Sequence, residues 1–286
     1  MRGIATWLLG TLGVACLTAM MAVPSAPLRA AGAAPLASHR AVYDLKLRRN
    51  TGKRGLQAVR GRILYDFSGN ACEGYVLEFR QVSELDSGEG RVAVSDLRAS
   101  TWEDGTAKDF RFNSQNFVNE KPQESVDGRA ERDDGKVAVK LAKPTAKTFE
   151  LEQNVVFPTE HMRRIVEAAR EGKTLLEFPI YDGSDTGERV YNTLTVIGQP
   201  IGPGESPPDD AAADVPALAG LKRWPVTISY FDRTAKDGGG EQIPSYAISF
   251  QIYENGVSRA LVLDYGEFAV TGELSQLEIK PGHPCP

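Results

Sequence analysis

Histidine, cysteine and tryptophan are scarce in this 286-residue chain, at three of each. His39, His161 and His283 lie far apart in sequence, and none has a partner at H-x-x-x-H or C-x-x-C spacing. No metal site is expected from such a set. G-x-S-x-G, G-x-x-x-x-G-K and G-x-G-x-x-G are all missing, so no hydrolase elbow or phosphate cradle is indicated. Asp185-Thr186-Gly187 spells the aspartic-protease triplet. That chemistry needs two carboxylates sharing one proton, and no second copy exists, so the triplet reads as a solvated hairpin turn. Asp66-x-Ser68-x-Asn70 has the start of a calcium loop, but Ala71 stands where the tight turn needs glycine and the bidentate glutamate is missing. No block of lysine and arginine occurs, so no nucleic-acid partner is expected. No catalytic residues and no cofactor are assigned. Dispersed carboxylates acting as a hydrolase remain as an alternative.

The first 33 residues differ from the rest. Arg2 gives a positive start, Ile4 to Val23 is nearly all apolar or small, and Ala31-Gly32-Ala33 offers a cleavage site. This reads as a secretory signal peptide, with a membrane anchor helix and a lipoprotein signal ending at Cys16 as weaker alternatives. Cleavage removes Arg2 and Arg29 and no acidic residue, which lowers the formal charge from −5 to −7. It also removes Cys16. Cys72 and Cys285 are then an even pair in an oxidising compartment and are expected to form a disulfide; two buried thiols are the alternative.

Most of the mature chain, taken as one domain over 34–286, alternates apolar and polar residues with period 2, the signature of a strand with two different faces. Ala41–Leu47, Ile63–Phe67, Tyr75–Val82, Arg91–Leu97, Arg98–Trp102, Lys108–Phe112, Val137–Leu141, Leu175–Tyr181, Val190–Ile197, Trp224–Phe231, Tyr246–Glu254, Ser258–Leu263 and Phe268–Ile279 all read as strands. Ser68-Gly69-Asn70, Asp127-Gly128, Asp134-Gly135, Asp182-Gly183 and Asn255-Gly256 read as turns between them. The pattern is that of an all-β, mainly antiparallel meander curling into a barrel-like sheet. Gly198 to Ala213 reads as an exposed loop, and Leu218–Leu221 as a short helical turn.

One helix interrupts, near 159–171. Thr159 is the expected N-cap, Glu160 sits in the first turn and Gly172 is the stop. Met162, Ile165, Val166 and Ala169 form one apolar stripe. That stripe either plugs the core or lies as a lid over an apolar cavity. The strongly apolar strands, such as Tyr246–Tyr253, admit the same two readings: a filled core, or a container for an acyl chain or apolar peptide.

Several stretches are familiar in combination: Ser38-His39-Arg40-Ala41-Val42-Tyr43-Asp44-Leu45, Tyr65–Tyr75 with Cys72, Thr101-Trp102-Glu103-Asp104-Gly105, Tyr181-Asp182-Gly183-Ser184-Asp185, Tyr253–Arg259 and Leu263-Asp264-Tyr265-Gly266. Over Ser38 to Cys285 the chain resembles the EipB family of periplasmic cell-envelope integrity proteins. The resemblance implies an open, many-stranded β-spiral or unclosed barrel, similar to the lipoprotein carriers LolA and LolB. It also implies a periplasmic location and a disulfide at the positions of Cys72 and Cys285. The expected role is non-enzymatic support of the outer membrane through a bound lipid, lipoprotein acyl chain or envelope protein, with contact to a membrane surface. A LolA-like carrier is the nearer alternative.

Overall fold

A computed structural model of the chain describes residues 36–282, other than 53–54, 89, 134, 206–208 and 234–241, together with Cys285. The leader expected over 1–33, Asp134 of one expected turn, and His283 lie outside the described residues. The strands run β1 His39–Asn50, β2 Ala58–Asn70, β3 Gly74–Asp86, β4 Val92–Glu103, β5 Asp109–Val118, β6 Lys121–Asp133, β7 Lys136–Lys143 and β8 Lys147–Glu152. Helix α1 is Pro158–Arg170. Then follow β9 Leu175–Ile180, β10 Tyr191–Ile197, a 3-10 turn Ala211–Ala213, helix α2 Pro216–Ala219, β11 Arg223–Asp232, β12 Tyr246–Tyr253, β13 Ser258–Asp264 and β14 Phe268–Ile279. Among the described residues, no helix is long and apolar enough to cross a membrane.

All fourteen strands form one antiparallel sheet in the order β8-β7-β6-β5-β4-β3-β2-β1-β14-β13-β12-β11-β10-β9. It is two meanders joined at a seam. The seam pairs β1 with β14, from His39↔Ile279 to Asn50↔Phe268. The outer strands β8 and β9 do not pair with each other, so the sheet is an unclosed barrel. A parallel bridge from Val156 to Ile180 and the segment leading into α1 lie between them.

Period-2 alternation places the cores. Ala41, Tyr43 and Leu45 of β1 face inward with Ile63 of β2 and with Val270 and Leu274 of β14, making the core under the seam. Phe110, Phe112, Val126, Val137, Val139 and Leu141 fill the β5–β8 end, against Phe157 and Tyr181. A third cluster joins Phe67 and Tyr75 to Trp224, Val226, Phe250 and Ile252 from the opposite side of the sheet. Contact between β2–β3 and β11–β12 requires the sheet to curl until its halves face each other, the large-scale result of strand twist.

The turns depart from the sequence reading in specific ways. Ser68, Gly69 and Asn70 remain paired in β2, opposite Val76, Tyr75 and Gly74. The reversal is Ala71-Cys72-Glu73, where the Asn70 Oδ1 accepts the Cys72 and Glu73 N–H groups at 2.8 and 2.9 Å. Asp127-Gly128 is not a turn; it lies inside β6, beside a register shift against β7. A Cβ on Gly128 would come within 2.5 Å of the Phe112 ring and 2.8 Å of Leu141, so the glycine is there for close side-chain packing. The turn is instead at Asn119 and Glu120, both with positive φ. Arg91–Leu97 and Arg98–Trp102 merge into the single strand β4, and β8 has no counterpart in the sequence reading. Asp182-Gly183 lies in an irregular loop between β9 and β10 rather than in a tight hairpin.

Gly105, in the β4–β5 turn, supports the Cys72 hairpin directly. A Cβ there would sit 1.8 Å from the Ala71 carbonyl oxygen, a backbone atom that cannot swing away. Gly105→Ala is expected to cost about 1–3 kcal/mol, read as a lowered denaturant midpoint with an unchanged m-value.

Candidate functional site

The curled sheet does not fill its own interior. Between the two halves lies a cavity of about 640 Å³, within the range of roughly 300–1,000 Å³ usual for small-molecule sites. Its walls are mostly apolar and aromatic: Tyr65, Phe67, Leu77 and Phe79 on one side, Ile248 and Leu261 on the other. Of its lining residues, Asp185 and Tyr265 are exposed, Tyr265 to 41%.

Helix α1 closes one end, and it divides its apolar stripe between two jobs. Met162 lines the cavity together with Pro158, Thr159 and His161. Ile165, Val166 and Ala169, at 0–4% exposure, are packed in solid core with Ile197, Trp224 and Ile252. The helix is thus wall at its first turns and plug beyond them. Burial of Ile165 and Val166 is worth about 1.5–3 kcal/mol each, which anchors the helix and holds its first turn at the cavity.

That first turn is capped from elsewhere in the fold. The N-cap position is Phe157, extended at φ −89°, ψ 162°, and it makes no side-chain cap; Thr159 is already inside the helix. Glu103, the last residue of β4, does the capping. Its carboxylate accepts the Thr159 N–H at 2.7 Å and the Glu160 N–H at 2.8 Å. Glu103 is 1% exposed. Burial pushes its pKa up to about 7, tempered by the two N–H donors. The charge also sits at the favourable pole of the helix dipole. Nothing in local sequence spacing links positions 103 and 159, so the sequence reading assigned the cap to Thr159. Beside it, the Glu160 carboxylate pairs with Arg164 at 2.5 Å and Arg132 at 3.3 Å, and Arg132 lies over the Phe157 ring.

His161 and His39 are both buried cavity residues, and burial disfavours the charged form of each. Burial and the Arg164 charge lower His161 to about 4; its Nε2 lies 3.4 Å from the Thr195 hydroxyl. Burial lowers the pKa of His39, whose Nδ1 lies 2.8 Å from the Ala37 carbonyl oxygen and whose ring stacks on Tyr65. Another corner of the cavity is polar; the sequence reading took its Asp182 and Asp185 as turn residues and did not single out its tyrosines. Tyr230 and Tyr246, partners across β11 and β12, stack at 4.3 Å between centroids. Tyr191 stands edge-on to both and donates to Asp185 at 2.5 Å. Asp182 lines the same corner. The signal was present as tyrosines on inward positions of three neighbouring strands, but the register that brings them together is set by long-range pairing.

Cys72 and Cys285 are bonded, with Cα atoms 5.6 Å apart across 213 positions of sequence. The bond ties the tail beyond β14 to the β2–β3 hairpin. Among the described residues there is no group of three or more His, Cys, Asp or Glu side chains placed to hold a metal ion.

Comparison with known proteins agrees with this architecture. The EipB-like family profile matches residues 30–281. The chain is 39% identical over 250 residues to the cell envelope integrity protein EipB of Brucella abortus (strain 2308), covering 87% of this chain and 86% of that one. A crystal structure from Brucella abortus, described as a β-barrel-like protein of a domain of unknown function, superposes with a TM-score of 0.79 at 37% identity. It covers 87% of this chain and 100% of the other.

Proposed function

This chain belongs to the EipB-like family, and from that premise we propose that it supports envelope integrity by holding an apolar ligand, a lipid or lipoprotein acyl chain, in the cavity between the sheet halves. The role in the envelope comes from the relative named for it. The disulfide fits an exported protein, and the proposed compartment is the periplasm. The observation that carries the binding reading is the cavity itself: about 640 Å³ walled mainly by apolar and aromatic side chains. A protein interior ordinarily packs without voids of that size, because empty apolar space forfeits dispersion contacts on every side. The chemistry proposed is binding rather than turnover.

Native mass spectrometry of protein purified from the periplasm, before and after organic extraction, tests the reading. The expected result is a bound mass that leaves with the solvent. Ile248→Trp, which pushes an indole into the cavity, is expected to lower the occupied fraction several-fold and to weaken complementation of a deletion strain challenged with detergent. A clean apo mass from freshly isolated wild type would overturn the cavity reading and move the function to the outer surface of the sheet.

A further inference from the structure

The cavity has a chemically distinct corner, and its charge is lopsided. No lysine or arginine lines the cavity among the described residues, whereas Asp182, Asp185 and Asp264 do. Two of these carboxylates are already spoken for. Asp264 pairs with Arg49 at 2.8 Å, and Asp185 faces Arg189 at 3.5 Å while accepting the Tyr191 hydroxyl. Asp182 has no ion-pair partner among the described residues; its Oδ1 accepts the Ser184 N–H at 2.9 Å, and the Ser184 side chain also hydrogen-bonds the carboxyl. Around it stand three tyrosines. Tyr230 and Tyr246 lie face to face, Tyr191 is edge-on to both, and the hydroxyls of Tyr230 and Tyr246 make no hydrogen bond among the described residues.

On the cavity-binding reading above, we propose that Asp182 with Tyr191, Tyr230 and Tyr246 forms the head-group pocket of the cavity, and that it takes an ammonium group whose attached apolar chain fills the remainder. Electron-rich ring faces attract cations, and the attraction strengthens where water is excluded. The Tyr191 hydroxyl gives its proton to Asp185 and so has none to offer a ligand anion. Asp182, with no ion-pair partner among the described residues, supplies the carboxyl group that meets the ammonium. Burial raises the Asp182 pKa, tempered by its hydrogen bonds with Ser184, and an ammonium beside it would favour the charged form. An anionic head group at the same corner would meet the Asp182 carboxyl, while the Arg189 guanidinium beside Tyr191 is already held by Asp185 and Asp232, an arrangement that disfavours it.

The test is competition against the neutral fluorophore N-phenyl-1-naphthylamine, bound to full-length, solvent-extracted protein at pH 7.4. The competitors are dodecylamine, 1-dodecanol and dodecanoate, each below its micelle concentration. Dodecylamine is expected to displace the fluorophore at a concentration at least about tenfold lower than dodecanoate. Asp182→Asn, nearly isosteric, should bring the two close to parity and leave 1-dodecanol unchanged. Tyr246→Leu, which removes one ring face, should weaken dodecylamine roughly fivefold relative to 1-dodecanol. Because each variant is read as a ratio between ligands, a general loss of folded protein cancels. Fluorophore binding without preference for the amine, or a preference that survives both substitutions, overturns the head-group assignment and leaves the cavity reading standing. No binding of fluorophore or any chain overturns the cavity reading, and the assignment with it.

Discussion

Cys72→Ser is expected to lower the unfolding free energy in oxidising buffer by roughly 5 kcal/mol, the chain-entropy value for a loop of this length. The bond closes 213 positions of sequence. It acts mainly on the unfolded chain, in which it closes that loop, so the loss appears as a lower melting temperature rather than a changed fold. For a domain of this size the shift should be on the order of 10–20 °C. In dithiothreitol, wild type and variant should melt together. Equal loss in both buffers would mean that Cys72 matters only for packing in the hairpin. Both cysteines are exposed, so the reductant can reach the bond without prior unfolding.

Glu103→Ala is the second large effect, expected at about 3 kcal/mol. It strands the Thr159 and Glu160 N–H groups at the start of α1 and leaves a void where the carboxylate was. Since that turn walls the cavity, occupancy by ligand should fall as well. Glu103→Gln keeps one acceptor oxygen and should cost about 1 kcal/mol, and it isolates the titration. A carboxyl raised in the fold to about 7 binds its proton more tightly than in the unfolded chain. Its contribution is complete below the unfolded value of about 4.3 and is lost as pH rises toward 7. His39 and His161 work in the opposite sense, since lowered histidines add stability as pH rises toward about 6.5. The quantity to measure is therefore the difference between wild type and Glu103→Gln. Wild type should lose stability relative to the variant between about pH 5 and pH 7.5, in denaturant titrations at each pH. A flat difference would mean that Glu103 keeps an ordinary pKa.

Local pattern made the strands readable and non-local geometry hid the rest. Ala41–Leu47, Ile63–Phe67 and Tyr246–Tyr253 announce themselves because side chains alternate across a pleat whatever the partner strand is. Strand ends were less visible: β2 begins at Ala58 and β6 runs through Asp127-Gly128. Asp-Gly is a turn signal only when the flanking register allows a turn, and here the glycine answers to Phe112 and Leu141. The apolar stripe of α1 was clear, but its division between cavity wall and core depends on where β11 and β12 lie. Glu103 left no local trace, because Thr159 lies 56 residues away; the tyrosines sat on readable strands, but only the pairing of β10, β11 and β12 brings them together. The resemblance to the EipB family named the fold and the cysteine pair; no head-group residue came with it.

The seam between β1 and β14 has a consequence for assembly. The earliest and latest strands are neighbours at the centre of the sheet, so a growing chain holds an unpaired β1 edge until Phe268–Ile279 is released. Such an edge is open to pairing with other chains, and its closure is a late, long-range event. Cys285 comes after β14, so its bond to the hairpin cannot form before the last strand has been made. A product truncated before β14 would lack both the seam and the bond. The disulfide is thus a covalent mark that β14 has been made.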